Sequence, residues 1–424
     1  MVTAVWGNDY IDLFLDVCVP NQLSFGNLPA LPDGSRYRIF TTTEDLARLN
    51  ASPRLEDVRR VLPVDVVAID MSEADQRSRR AGTIANAHKR MIACHRRAAA
   101  DAAVLGHGVI YLSPDCVLSE GAMAAMTRRH RNGARAVLST GIRLSREGFA
   151  VAVRDRGAAL PPRELVRLAM QNLHPSTQAL MAEGNTDYRT AVYWPVLAGA
   201  AVDGVLIHTF TLHPLLVDPV RRGELPGGPV DSHYIRHCVP DLRDVHVVDD
   251  SDEIAVFELT TTAREVGKER AGGALLPRLI AASAQWDSHQ VAHWQRPIRL
   301  HASDLDERWR AVESEAARLA RTVERYRACA PAFVVMYRAF KFLRRRQDAY
   351  ATTLRKLRRR GARVARVAPQ RARKAAQDTR KSMRPVVTRK QLARPVKLVW
   401  HRAAKAARQQ VKRMRRRMRT PRTA

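Results

Sequence analysis

The chain has 424 residues, with 72 Lys+Arg against 42 Asp+Glu and a formal net charge of +30. Residues 341–424 hold 31 basic and 2 acidic side chains, so the body that precedes them is near neutral and the charge describes a tail. Five scattered cysteines without CxxC spacing argue against a disulfide framework. The opening residues lack the basic region of a signal peptide, and no apolar run reaches the roughly 20 residues that span a bilayer, so a cytoplasmic protein is expected.

The first 265 residues alternate short β-branched runs with helical spacing, which predicts an α/β domain. Strands are expected at Val2–Trp6, Tyr37–Thr41, Val64–Asp70, Val109–Leu112 and Ala134–Thr140. Helices are expected at Tyr10–Val19, Glu44–Leu49, Arg77–Val104 and Glu120–Arg131. Later strands are expected at Val202–Thr209, Val245–Val248 and Ile254–Leu259, and Leu225–Pro229 reads as a loop. A second, helical part spans 266–340. There Leu305, Trp309, Val312, Ala316, Leu319, Val323 and Tyr326 recur at heptad a/d spacing. This helix either packs on the body or dimerises as a short coiled coil. The tail, 341–424, is Arg/Ala/Lys-rich, helix-prone and interrupted by Pro369, Pro385 and Pro395.

The most informative segment runs from an Ala-rich helix through Gly106-His-Gly108 into the strand Val109–Leu112. It ends in Ser113-Pro114-Asp115. In open α/β sheets ligands bind outside the carboxyl ends of strands. A carboxylate there is placed to hold a hard divalent cation against phosphates. The bland alternative is an acid that caps the next helix.

This segment resembles the nucleotide-sugar-binding half of GT-A fold glycosyltransferases, with their helix, small-residue turn, apolar strand and D-x-D motif. Asp115 matches the second aspartate of that motif, the usual metal ligand, and Ser113 stands in place of the first. Trp6-Gly7-Asn8-Asp9-Tyr10, Leu23–Leu31, His213–Pro219 and Val248–Glu253 extend the likeness over roughly residues 1–260. The resemblance implies a GT-A-like, Rossmann-type mixed sheet flanked by helices, a nucleotide-diphosphate sugar donor, and Mg²⁺ or Mn²⁺ at Asp115. It also implies that Thr41 and Thr42, at the end of the second strand, lie where the base is read.

Other candidates come from residue chemistry. Asp231, after the Gly/Pro loop, is an N-cap or the base that takes an acceptor hydroxyl's proton. His233 and His237 share a helix face, which by itself is a weak metal signature. His213 is a loop histidine or reaches a metal or diphosphate. Asp249, Asp250, Asp252 and Glu253 form either a solvated turn or a site for metal or acceptor hydroxyls. His289 and His293 are four apart, but Gln290 stands where a zincin needs Glu, so a metalloprotease is excluded. Gly-x-Ser-x-Gly and P-loop motifs are missing.

The tail suits three partners. Its last stretch sets Trp400 and Met418 on one helical face, with Lys412, Arg413 and Arg416 around the rest. That pattern fits an anionic membrane surface. Nucleic acid is attracted by the same charge, and a solvated polycation is the plain alternative. The sequence therefore reads first as a glycosyltransferase with a basic surface anchor. The competing readings are a non-catalytic GT-A-like binding protein and a nucleic-acid-associated protein.

Overall fold

A computed structural model describes residues 1–69, 84–182, 191–219, 229–263, 275–332 and 334–335. Trp400, Lys412, Arg413 and Arg416 lie outside the described residues, as do Asp70 and the beginning of the helix expected from Arg77.

The chain divides into two compact units, one of 1–272 with 286–321 and one of 273–285 with 322 onwards. In the first, the strands are β1 (Val2–Ala4), β2 (Tyr37–Thr42), β3 (Val64–Ile69), β4 (Val109–Ile110), β5 (Cys116–Leu118), β6 (Ala136–Ser139) and β7 (Arg143–Ser145). They continue with β8 (Ala191–Ala198), β9 (Ala201–Thr209), β10 (His213–Val217), β11 (Val245–Val247), β12 (Val256–Thr260) and β13 (Ile298–His301). The architecture is mixed α/β, as the sequence leads one to expect.

β1, β2 and β3 pair in parallel, with β2 central. Val2 also pairs in parallel with Tyr111, directly after β4, so this sheet continues into β4-β10-β6-β11. β10 runs antiparallel to both its neighbours, while β6 and β11 are parallel. The near-continuous apolar runs of β1 and β6 follow from burial on both faces. Helix Ile84–Leu105 packs on β1. Two smaller sheets, β5-β12-β7 and β13-β9-β8, complete the unit.

The helical stretch after β1 runs from Asn8 to Gln22 and carries a π-turn at Phe14–Cys18. It ends in a polar clamp. Asn21 grips Leu118 from both sides, accepting its N–H at 2.7 Å and donating to its carbonyl at 2.9 Å. Asn27, fully buried, donates to the carbonyls of Asn21 and Ser119 and to Ser24 Oγ, and accepts from Met123 N–H. Between them Gly26 has φ +74°, and a Cβ there would lie 2.6 Å from Gly121 Cα. These bonds fix β5, which directly follows Asp115.

Several short elements escape sequence patterning. β5 and β7 have three residues each, too few for a period to show. β10 contains Pro214, which reads as loop. The proline is tolerated because the register against β6 shifts between Pro214 and Leu216, where the missing N–H is not required. Pro195 sits in β8, an edge strand.

The helix Glu307–Arg327 carries the heptad pattern. Trp309, Ala316 and Val323 are buried within the chain itself, whereas Leu305 and Tyr326 are exposed. In the second unit, Leu279–Ala282 of helix Leu275–Ser283 are buried and Ser283 Oγ donates to Ile280 O at 2.7 Å. No described helix is long and apolar enough to cross a membrane.

Candidate active site

The chain leaves β1 toward β2 and β3 on one side, then returns through the helix Ile84–Leu105 to place β4 on the other. The order of strands therefore reverses between β1 and β4. In an open α/β sheet the crevice beyond the carboxyl ends at such a switch point is where ligands bind. A cleft of about 610 Å³ lies there, within the usual size of small-molecule sites.

Trp6, following β1, forms one part of its wall, and Ser113-Pro114-Asp115, following β4, another. The latter is a turn closed by Cys116 N–H donating to Ser113 O at 3.2 Å. Asp115 O accepts from Leu259 N–H at 2.8 Å, which ties the turn to β12. The half-buried Trp6 indole carries the Arg90 guanidinium over its face, 5.3 Å from the ring centre.

His213 opens β10 and also lines the cleft. Its ring lies against Gly141, so closely that a Cβ on residue 141 would sit 2.8 Å from the imidazole. Asp231 lines the cleft as the N-cap of helix Ser232–Cys238. Its Oδ1 accepts from His233 N–H at 3.0 Å and Tyr234 N–H at 3.4 Å, and its Oδ2 has no hydrogen bond among the described residues. The capping role and the place in the cleft coexist. Four candidates scattered over more than a hundred residues, Ser113, Asp115, His213 and Asp231, thus share one cleft.

Thr41 and Thr42 do not reach it. Both are fully buried, and Thr42 Oγ1 caps the helix Thr43–Asn50 while donating to Asp45 at 2.8 Å. Thr41 Oγ1 is buried with no partner among the described residues. Asp250 and Asp252 also lie outside the cleft wall. Their turn is a knot of ion pairs: Asp250 with His301 at 2.9 Å, Asp252 with Arg163 at 2.9 Å, and Glu253 with His246 at 3.0 Å and with Arg129.

Asp250, Asp252 and His301 are the one group of three ligand-type side chains that converge within 4.8 Å among the described residues. His301 Nδ1 bonds Ser303 O at 2.7 Å. Burial opposes charge on the ring, but Asp250, Ser303 O and Asp252 outweigh it and hold the pKa of His301 above its ordinary value. The three side chains are held in ion pairs, His301 with both aspartates and Asp252 with Arg163, and they are also of the types that ligate a metal. His233 and His237 belong to no three-ligand group among the described residues.

The sequence did not single out Glu258 and Arg143 as site residues. They are cross-strand neighbours on β12 and β7, paired at 3.2 Å, and both line the cleft. Only strand register brings them together. The described lining residues include three carboxylates, Asp115, Asp231 and Glu258, and one guanidinium, that of Arg143. Among the described lining residues acid outnumbers base, in a chain of net charge +30.

Among the described residues, Asp115 and His213 belong to no group of three converging His, Cys, Asp or Glu ligands. Magnesium is typically held by one or two carboxylates and completed by substrate phosphates. One carboxylate at a strand end fits that mode of binding. Comparison with known proteins finds no matching family model and no significantly similar curated protein.

Proposed function

We propose that the chain is a glycosyltransferase that takes a sugar from a nucleotide-diphosphate donor, with the cleft between β1 and β4 as its active site. The observation that carries this reading is the convergence of Trp6, Ser113-Pro114-Asp115, His213 and Asp231 on a cleft at the switch point of the sheet. Trp6 offers an aromatic face to a base. Ser113 and Asp115 lie where the donor's phosphates would approach the strand end. Asp231 takes the acceptor hydroxyl's proton through Oδ2, which has no hydrogen bond among the described residues, as the bond from sugar to diphosphate breaks.

The acidic wall bears on the cation. A diphosphate brought against Asp115 and Asp231 is repelled, and the guanidinium of Arg143 is already paired with Glu258. Mg²⁺ or Mn²⁺, held by Asp115 with His213 near, would supply the missing positive charge on the leaving group. Nucleotide binding is therefore expected to need the cation. Titrating the full chain calorimetrically with UDP and GDP tests this. Heat is expected with Mn²⁺ and little without it, and Asp115→Asn should weaken the cation-dependent binding at least tenfold. Binding that ignores both cation and Asp115 would sink the assignment.

A non-catalytic binding protein has one observation in its favour, the Ser113 that offers a hydroxyl where the resembling enzymes carry an acid. Nucleotide binding without release of nucleotide from any sugar nucleotide would select it. For the tail we propose attachment to an anionic lipid surface. Deleting 341–424 should abolish pelleting with phosphatidylserine vesicles and leave nucleotide binding intact. Retention on DNA at physiological salt, with no vesicle binding, would favour nucleic acid instead.

A further inference from the structure

Two tyrosines meet beside the cleft. Tyr111 follows β4, four residues before Asp115, and its phenol oxygen lies 3.2 Å from that of Tyr234. The rings cross edge to face, 6.4 Å apart at 80°. Tyr111 is 6% exposed and Tyr234 2%. His95 closes on Tyr111 edge-on at 5.4 Å. Burial pushes both phenols above their ordinary pKa of 10, so the pair exchanges no proton near neutral pH and acts through geometry.

Phenylalanines would fill the same volume without burying two hydroxyls, each of which must find a partner. What the hydroxyls add is direction. Tyr234 is in the first turn of the helix that Asp231 caps, and its own N–H is one of the two donors to Asp231 Oδ1. Tyr111 N–H is in turn held by Leu215 O at 2.9 Å in the central sheet. A continuous path therefore runs from the sheet through two phenols to the carboxylate of Asp231.

We propose that Tyr234, through its bond to Tyr111, is a positioning residue that holds Asp231 in register with the Ser113–Asp115 turn. For catalysis this rests on the glycosyltransferase reading, since it assigns Asp231 a task across the cleft from the donor. The bracket itself is a property of the fold and is testable without turnover.

The experiment uses the full chain and the variants Tyr234→Phe and Tyr111→Phe/Tyr234→Phe. The double variant removes both hydroxyls and leaves no orphaned phenol. Hydrogen exchange of the His233 and Tyr234 amides is expected to quicken about tenfold in both variants, with exchange in β1 and β2 unchanged. Release of UDP from UDP-glucose with Mn²⁺ is expected to slow about tenfold in kcat, while the Kd for UDP with Mn²⁺ stays within twofold.

Unchanged amide protection in both variants overturns the bracket. Faster exchange with unchanged kcat overturns the positioning role. A proportional loss of kcat and UDP affinity, with exchange raised throughout the sheet, also overturns it, because that marks general destabilisation. If the unaltered chain neither binds UDP or GDP nor turns over, the glycosyltransferase reading fails, and the amide exchange alone decides for or against the bracket.

Discussion

Gly141 is constrained by a side chain far away in sequence. Its Cα is the floor on which the His213 imidazole rests, and any β-carbon would sit within 2.8 Å of that ring. Gly141→Ala must therefore move His213, since the alternative is to displace a turn between two short strands. Turnover is expected to fall about tenfold. In a His213→Ala background the same substitution should have little further effect, because the clashing ring is gone. Equal losses in both backgrounds, in a double-mutant cycle of turnover rates, would show that the glycine matters to the backbone and not to the histidine.

At the scale of elements, the clamp before β5 carries much of the site's rigidity. Asn27 makes four hydrogen bonds from a fully buried side chain, so Asn27→Ala orphans several backbone groups at once. A loss of about 3 kcal/mol is expected in denaturant unfolding. Gly26→Ala adds a side chain at φ +74° against the Gly121 backbone and should cost about 2 kcal/mol or more. A shift in midpoint of under about 0.5 kcal/mol for either variant would mean that the loop is held elsewhere.

Legibility in the sequence follows the same boundary between local and non-local order. β1, β2, β6 and β11 show as apolar runs because burial sets their composition, while β3, half-buried at the sheet edge, shows through its β-branched Val64, Val66, Val67 and Ile69. Asp115 shows because a strand-end acid needs only its own segment to be read. Thr41 and Thr42 show as the end of a strand, but a threonine there can as well start a helix, and Thr42 does. Glu258 and Arg143 could not be found, because their pairing depends on β12 lying beside β7 in one register. Trp6 was legible as the end of a strand, but its role as a wall depends on where β4 returns.

At the scale of the whole molecule, buried histidines shape the response to pH. Burial, with His88 adding to it, lowers the pKa of His95 from 6.5 to about 4. Burial, with His289, lowers that of His293 to about 4 as well. Each stays neutral when folded, so stability falls as pH drops from 6.5 toward 4, where the unfolded chain takes a proton that the folded one refuses. Glu253 adds to the acid loss: burial opposes its charge, but His246 and Arg129 hold its pKa down from 4.5 to about 2, so its contribution fades below 4.5.

His301 acts in the opposite sense. Its pKa is raised, so its contribution is complete below 6.5 and is lost as pH rises through the folded value. Denaturation midpoints measured across pH should therefore peak near 6.5 and fall on both sides. His301→Gln should flatten the alkaline limb and, by removing the bond that lowers the pKa of Asp250, also ease the fall at the acid end. An unchanged alkaline limb in that variant would remove His301 from the explanation.

The reversed strand β10 bears on when the site can come into being. Because β10 runs against β4 and β6, its first residue, His213, arrives at the end of the sheet where its neighbours finish. It is also the wedge that joins them, since β4 and β6 are not paired with each other. A nascent chain that has produced every strand up to Ser139 still has a sheet in two pieces and a cleft without one wall. Assembly must wait for residues 213–217, more than seventy positions later, and these contacts close long loops. The cleft is thus among the last features to take shape, and synthesis of the body must be nearly finished before any ligand can bind there.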